Sequence, residues 1–396
     1  WIKTCFVILW IFINIKFIYQ YTTQKSKINI IQEIIDENIK EIENNNKLAY
    51  KILNLDEKEN ISLHTLFIWV YYFSAQHYDI LGDSEKALDY INKAIKSTPS
   101  VVEFYMVKAR ILRHNLLFDE AAKAMGKAKE LDLSDRYLNA KHAKALLRSG
   151  DLDKSMEVMM EFVQNPLIEE NMNRYQCLWY KIESGLVYLQ QNKILHSHRM
   201  FRGIVTNFIE MYEDQSDFYN YSLRCYMLSN FYQLISHMKS MYKNKIFIKS
   251  LFYLDIIRTI LQTQFAKNGE DLKKKLEEEF KEISEKAEIK IYKYTTYEEL
   301  INSINDDLYK FLQILQSITK CANVHYLCIK EFLNRNKPLK ALKSYLFLMN
   351  DNVNNIEDNF FAYKGYVLFN DYLKKNSEKI KKDVLEIINN KIKGLN

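Results

Sequence analysis

Small, aromatic and turn-forming residues recur in this chain with a period of 34 residues. Counted from Ile68, the first copy carries them at Ala75, Tyr78, Gly82, Ala87, Ala94 and Pro99. One period later the alanines return as Ala109, Ala121 and Ala128, and a second period leads to Ala143 and Gly150. Three positions that stay in register across consecutive copies predict a repeated structural unit.

This period and these residue types are typical of the tetratricopeptide (TPR) repeat, a pair of antiparallel helices that needs small residues where helices cross. The chain of 396 residues has only 8 Gly and 3 Pro, which disfavours folds built from strands and turns. We therefore predict an all-α fold in which TPR-type helical hairpins form a right-handed α-α superhelix. Repeat proteins of this kind act as binding scaffolds, so the repeat alone predicts a scaffold function.

The pattern of composition divides the chain into four predicted regions. The uncharged apolar run at residues 4–15 is shorter than the about 20 residues that a membrane span needs. We therefore predict that it packs as a helix on the first repeat, with a membrane role as the less favoured alternative. The regions are residues 1–24, an apolar N-terminal segment; 25–265, the TPR superhelix; 266–300, a solvated helix or linker rich in Lys and Glu; and 301–396, a helical region with a hairpin turning at 336–338.

The sequence lacks the common motifs of enzymes and metal sites. No two of its glycines lie within two residues of each other, which excludes the Gly-rich loops that bind dinucleotides, nucleoside triphosphates or acetyl-CoA. The five Cys form no CxxC and are typical of reduced thiols in a cytoplasmic protein. His196 and His198 point to different sides of a helix. We predict a non-catalytic, cytoplasmic protein without a metal.

A basic surface follows from the repeat register. The net charge of +6 is modest, so any polyanion site must come from local clustering. The first helix of each TPR repeat lines the inner wall, and stacking brings the wall residues of successive repeats together. Several Arg and Lys side chains at once suit a phosphate-dense ligand, although these side chains could instead pair with Asp and Glu on solvated faces. The wall positions hold Arg110, Arg113, Tyr137, Lys144 and Arg148, flanked by Arg136 and Lys141.

Ordered segments of the chain resemble the auxiliary subunit of the NatA N-terminal acetyltransferase. The likeness extends over about residues 25–263 and, more loosely, over 326–346. Its main segments are residues 74–79, 85–92, 97–99, 107–110, 120–122, 135–137, 139–141, 176–180, 214–215, 217–218 and 221–224.

The resemblance implies a non-catalytic superhelix that wraps a catalytic subunit of the GNAT fold, tunes its active site and helps to dock it on the ribosome near the exit tunnel. Acetyl-CoA would be bound by the catalytic partner alone. Inositol hexakisphosphate is implied as a structural ligand between the two subunits. The corresponding residues are Arg110, Arg113 and Lys141, with Lys144 as neighbour, for the inositol phosphate, and Arg136, Tyr137 and Trp179 for the catalytic partner.

Two features depart from that family. This sequence does not include the family's long N-terminal set of repeats, and the basic segment expected near residues 267–290 is balanced by Glu, which weakens the expectation that this segment binds ribosomal RNA. A second class of function therefore stays open. A free-standing TPR adaptor would use the same basic side chains to clamp acidic peptide tails.

Overall fold

The computed structural model describes residues 32–40, 42, 63–163, 177–206, 245–286, 296–319, 321–349 and 356–393, and every regular element among them is a helix. The chain forms two compact units, Trp1–Phe162 and Val163–Asn396. The predicted apolar segment 1–24 lies outside the described residues, and the division into four regions stays a prediction. None of the helices in the described ranges is long and apolar enough to cross a membrane.

From residue 63 onward, each helix of the first unit packs on the next one along the chain. The helices are α1 (residues 32–40), α2 (Leu63–Leu81), α3 (Ser84–Ser97), α4 (Val102–His114), α5 (Phe118–Leu131), α6 (Arg136–Ser149) and α7 (Leu152–Met160).

The small residues of the repeat lie where its helices cross. All seven alanines at repeat positions 8, 20 and 27 are buried, with exposed fractions of 5% or less. The third repeat has Ser155 at position 20; it is buried too, and its hydroxyl donates to the carbonyl oxygen of Ala143 at 2.9 Å. A methyl-sized group at these places lets neighbouring helices approach closely. The predicted repeat register is therefore confirmed.

The turns inside the hairpins also repeat every 34 residues. Gly82 and Gly150 adopt left-handed backbone angles, with φ of +83° and +89°. Each is followed by an Asp whose side chain accepts a backbone N–H of the next helix, Asp83 for α3 and Asp151 for α7. Glycine tolerates positive φ, and Asp is a favoured N-cap residue, so the local sequence specifies both turns. The turn-forming role of Gly82 in the predicted repeat is confirmed.

The second repeat makes the same turn with residues that do not favour it, because it has neither a glycine nor a capping Asp there. Leu116 lies midway between Gly82 and Gly150 in the register, and its φ is +61°. The residue is 72% exposed, so its side chain gains no burial in this conformation. Leu117, which follows it, gives α5 no side-chain cap. A left-handed conformation disfavours a residue with a Cβ. The stacking of the hairpins, rather than the local sequence, therefore imposes this turn.

In the second unit the helices are α8 (Leu178–Gln190), α9 (residues 194–206), α10 (Lys245–Lys286), α11 (Tyr297–Ile318), α12 (Ala322–Asn334), α13 (Pro338–Met349), α14 (Ile356–Asn376) and α15 (Lys382–Lys393). The hairpin of α8 and α9 is close-packed at Gly185, where an added Cβ would lie 2.8 Å from the ring of Phe201. The turn between α12 and α13 falls at residues 335–337, with Asn336 at φ of +54°, so the second predicted hairpin is confirmed.

The charged segment is a helix, but it is not solvated on all sides. Helix α10 is interrupted at Asn268, close to the predicted boundary between residues 265 and 266. Beyond it Leu272, Leu276 and Ile283 are buried. Glu279 is also buried and accepts the backbone N–H groups of Ile194 at 3.2 Å and Leu195 at 2.7 Å. A carboxylate is stabilised at a helix N-terminus, because the first N–H groups there have no partner within the helix. The prediction of a solvated helix was wrong for this face.

The strained turn gives a test of the register. Replacing Leu116 with Gly removes a penalty of about 1–2 kcal/mol for the left-handed conformation, while the added freedom of the unfolded chain offsets roughly 0.5–1 kcal/mol. We expect Leu116→Gly to stabilise the protein by about 0.5–1 kcal/mol in urea unfolding. Leu133→Gly is the matched control, because Leu133 is an exposed leucine in the next loop and its φ is negative. Equal destabilisation by both substitutions would show that the backbone at Leu116 is not strained.

Candidate functional site

A cavity of about 380 Å³ opens in the first unit among α2, α4, α5 and α6. Its charged lining residues are five basic side chains and one acidic one. The charged and aromatic lining residues are Tyr72, Glu103, Arg110, Arg113, Phe118, Tyr137, Lys141, Lys144 and Arg148. This volume lies within the range of small-molecule sites in proteins.

Helix periodicity explains why the basic residues share one cavity. On α4, Arg110 and Arg113 are three residues apart and lie on one helical face. On α6, Tyr137, Lys141 and Lys144 are separated by four and three residues, which again defines one face. Lys144 has the same repeat position as Arg110, one repeat later. The stacking of equivalent helices therefore places the two basic rows side by side.

The structure thus brings together all four residues predicted to bind an inositol phosphate. Arg110, Arg113, Lys141 and Lys144 all line this cavity. The competing expectation, that such residues pair with acids, holds for Arg110, because its Nε lies 3.3 Å from Asp79 Oδ2. The cavity nevertheless keeps a strong excess of positive charge.

Two tyrosines contribute polar surface to the same cavity. Burial raises the pKa of the Tyr72 phenol, while the nearby Arg110 guanidinium opposes that increase. Tyr72 is therefore neutral at physiological pH. Tyr137 is 53% exposed, and the Nζ atom of Lys141 lies 5.0 Å from its ring centre, within cation–π range. The exposed ring at the start of α6 leaves an aromatic surface available for contact.

The three residues predicted to contact a protein partner are divided between the two units. Arg136 is exposed at the start of α6, with its guanidinium carbon 5.7 Å from the ring centre of Phe162. Tyr137, the next residue, lines the cavity. Trp179 belongs to α8 in the second unit, where it is half-buried and meets the ring of Tyr180 edge-on at 5.8 Å.

The histidine pair is part of the packed interior. His196 and His198 are both buried. His196 Nδ1 faces Glu279 at 3.6 Å, and burial lowers the pKa of His198 to about 3, so this ring is neutral at physiological pH. Across the ranges that the structure describes, no three His, Cys, Asp or Glu side chains come close enough to hold a metal ion.

Three charged or titratable residues beside or in the cavity were not predicted from the sequence. Glu103 lines it, and Asp79 and His114 contact its arginines. A signal for Asp79 exists in the register, because Asp79 lies one repeat before Arg113 and Gln76 lies one repeat before Arg110. Residues at equivalent positions of stacked repeats are neighbours, and the hydrogen bond between Arg110 and Gln76 shows this directly.

Stacked helical hairpins with a basic cavity define a helical-repeat scaffold of the TPR type. The profile of the family described as "N-terminal acetyltransferase A, auxiliary subunit" matches residues 10–302, and the chain belongs to this family. The predicted family is therefore confirmed.

Known relatives agree with this placement. The chain is 34% identical over 232 residues to the human "N-alpha-acetyltransferase 16, NatA auxiliary subunit", which is 57% of this chain and 25% of that protein. It is 32% identical over 168 residues to the Arabidopsis thaliana "N-terminal acetyltransferase A complex auxiliary subunit NAA15", 42% of this chain and 19% of that one. The chain thus spans a quarter or less of the length of these two relatives.

A solved structure supports the fold class. The chain in "Structure of Naa15/Naa10 bound to HypK-THB" matches with a TM-score of 0.64 and 21% identity, over 84% of this chain and 49% of that one. The predicted all-α fold of helical hairpins is confirmed by this likeness and by the helices described above.

Proposed function

We propose that this chain is the non-catalytic scaffold subunit of a co-translational N-terminal acetyltransferase A complex in the cytoplasm. It wraps a catalytic subunit of the GNAT fold, tunes its active site and helps to dock it on the ribosome. Membership of the auxiliary-subunit family carries this proposal. The lack of any Gly-rich loop for a pyrophosphate in the sequence supports a non-catalytic role.

The first test asks whether the chain acts through a partner. We expect the purified chain to transfer no acetyl group from acetyl-CoA to a peptide N-terminus, and to co-purify from its own cells with an acetyltransferase at one-to-one stoichiometry. Mass spectrometry of the isolated complex measures both. Acetyl transfer without a detectable partner would overturn the non-catalytic role. Co-purification of many proteins with acidic C-terminal tails, and no acetyltransferase, would favour the peptide adaptor instead.

The basic cavity is the proposed site of inositol hexakisphosphate. Arg110, Arg113, Lys141 and Lys144 supply charge-assisted hydrogen bonds to its phosphates, and Arg148 adds a fifth cation. A highly charged ligand offsets the repulsion among five basic side chains better than the single carboxylate of a peptide tail does. A ligand that binds only the assembled complex would also stabilise that complex by mass action.

Charge reversal at the edge of the cavity tests this site. We expect Arg113→Glu/Lys141→Glu to abolish binding of inositol hexakisphosphate in isothermal titration calorimetry and to weaken the complex, because two attractive charges become repulsive. Arg110 is left in place, since a glutamate there would face Asp79. The control Lys96→Glu/Lys123→Glu makes the same change in net charge at exposed positions of α3 and α5 outside the cavity. Undiminished binding by the cavity variant would reject the assignment.

Trp179 is the proposed aromatic anchor for the catalytic partner. Part of its ring is exposed, and buried tryptophans at protein interfaces carry much of the binding free energy. We expect Trp179→Ala to weaken the complex by about 2 kcal/mol or more. Trp179→Phe, which keeps an aromatic ring, should lose less. Affinity is measured by surface plasmon resonance and folding by circular dichroism. A folded Trp179→Ala protein with unchanged affinity would assign the side chain to internal packing alone.

A further inference from the structure

A carboxylate stands behind the basic residues of the cavity. Asp79 lies in the last turn of α2 with its side chain only 5% exposed. Its Oδ1 atom is 2.7 Å from His114 Nδ1, and its Oδ2 atom is 3.3 Å from Arg110 Nε. The Nη2 atom of Arg110 donates in addition to Gln76 Oε1 at 3.2 Å. Arg110 is therefore hydrogen-bonded to Gln76 through Nη2, and its buried Nε forms a close ion pair with Asp79 without a hydrogen bond.

His114 extends this contact to the second arginine. The Nη2 atom of Arg113 lies 3.1 Å from His114 Nε2. A guanidinium can only donate, so Nε2 accepts and the imidazole carries its proton on Nδ1, where it donates to Asp79. The carboxylate thus contacts Arg110 directly and Arg113 through the histidine.

We infer that Asp79 is a positioning residue of the polyanion site: it fixes Arg110, and through His114 also Arg113, in the geometry that a phosphorylated ligand requires. This inference rests on the proposed function of the cavity. An arginine side chain that is already ordered loses less conformational entropy when the ligand binds. The cost of ordering is met when the chain folds.

The ordering of Arg110 by Asp79 should strengthen ligand binding, whereas the negative charge of Asp79 should weaken it. A carboxylate beside the cavity repels a polyanion, so its removal should strengthen binding if charge alone matters. Positioning and repulsion therefore predict opposite signs for Asp79→Asn. Glu103 provides the matched control, since it lines the same cavity and Glu103→Gln removes the same charge without disturbing the contacts of Asp79.

The full chain and inositol hexakisphosphate, studied by calorimetry at fixed salt, give the first readout. We expect Asp79→Asn to weaken binding by about tenfold, the loss of one close charged contact, and Glu103→Gln to strengthen it. His114→Ala should weaken binding, whereas His114→Gln should recover much of the affinity, because a Gln amide offers both a donor and an acceptor. Stronger binding by Asp79→Asn, in parallel with Glu103→Gln, would overturn the inference.

A second readout needs no ligand. In the free chain we expect the Nε–Hε NMR signal of Arg110 to be shifted and slow to exchange in the wild type and in Glu103→Gln. It should become like that of a solvated arginine in Asp79→Asn. An unchanged Arg110 signal in Asp79→Asn would overturn the inference. Failure of the wild type to bind inositol hexakisphosphate would instead reject the proposed function of the cavity, and the NMR comparison would still decide whether Asp79 orders the arginine.

Discussion

The close approach of helices at small buried residues is the constraint on which the first unit depends. Ala75, Ala109 and Ala143 occupy one repeat position, and each is at most 5% exposed. Because each helix can approach its neighbour only at these points, the rotation of every helix about its axis is fixed. That rotation decides which side chains face the cavity. The basic lining is thus a consequence of packing, and the packed residues Ala109 and Ala121 also form part of the cavity wall.

Asp79 reduces the electrostatic repulsion among the basic side chains of the cavity, because it forms an ion pair with Arg110. A carboxylate placed in the cavity itself would compete with an anionic ligand, whereas Asp79 lies behind the arginines with its side chain nearly buried. There it attracts Arg110 at short range and leaves the guanidinium's remaining donors for other partners. Glu103, in contrast, lines the cavity itself. Two acidic residues close to one site can therefore have opposite effects on it.

Periodicity predicted most of this architecture from the sequence. The repeat register placed the buried alanines, the turns at Gly82 and Gly150, and the basic residues of α4 and α6. Single-sequence patterns failed where tertiary contacts override local preference. Leu116 adopts a glycine-like angle because its hairpin must match its neighbours, and Glu279 is buried because a distant helix begins beside it. Neither contact leaves a local signal in the sequence.

The chemistry of the cavity also bears on the choice between the two classes of function. A clamp for a peptide C-terminus needs to neutralise one carboxylate, and two or three donors suffice for that. Five cations from two stacked repeats exceed this need, and an acid that pairs with Arg110 removes only part of the excess. Mutual repulsion at such a density disfavours the free state relative to one with a bound polyanion. The charge balance therefore supports the proposal of a multiply phosphorylated ligand over that of a peptide tail.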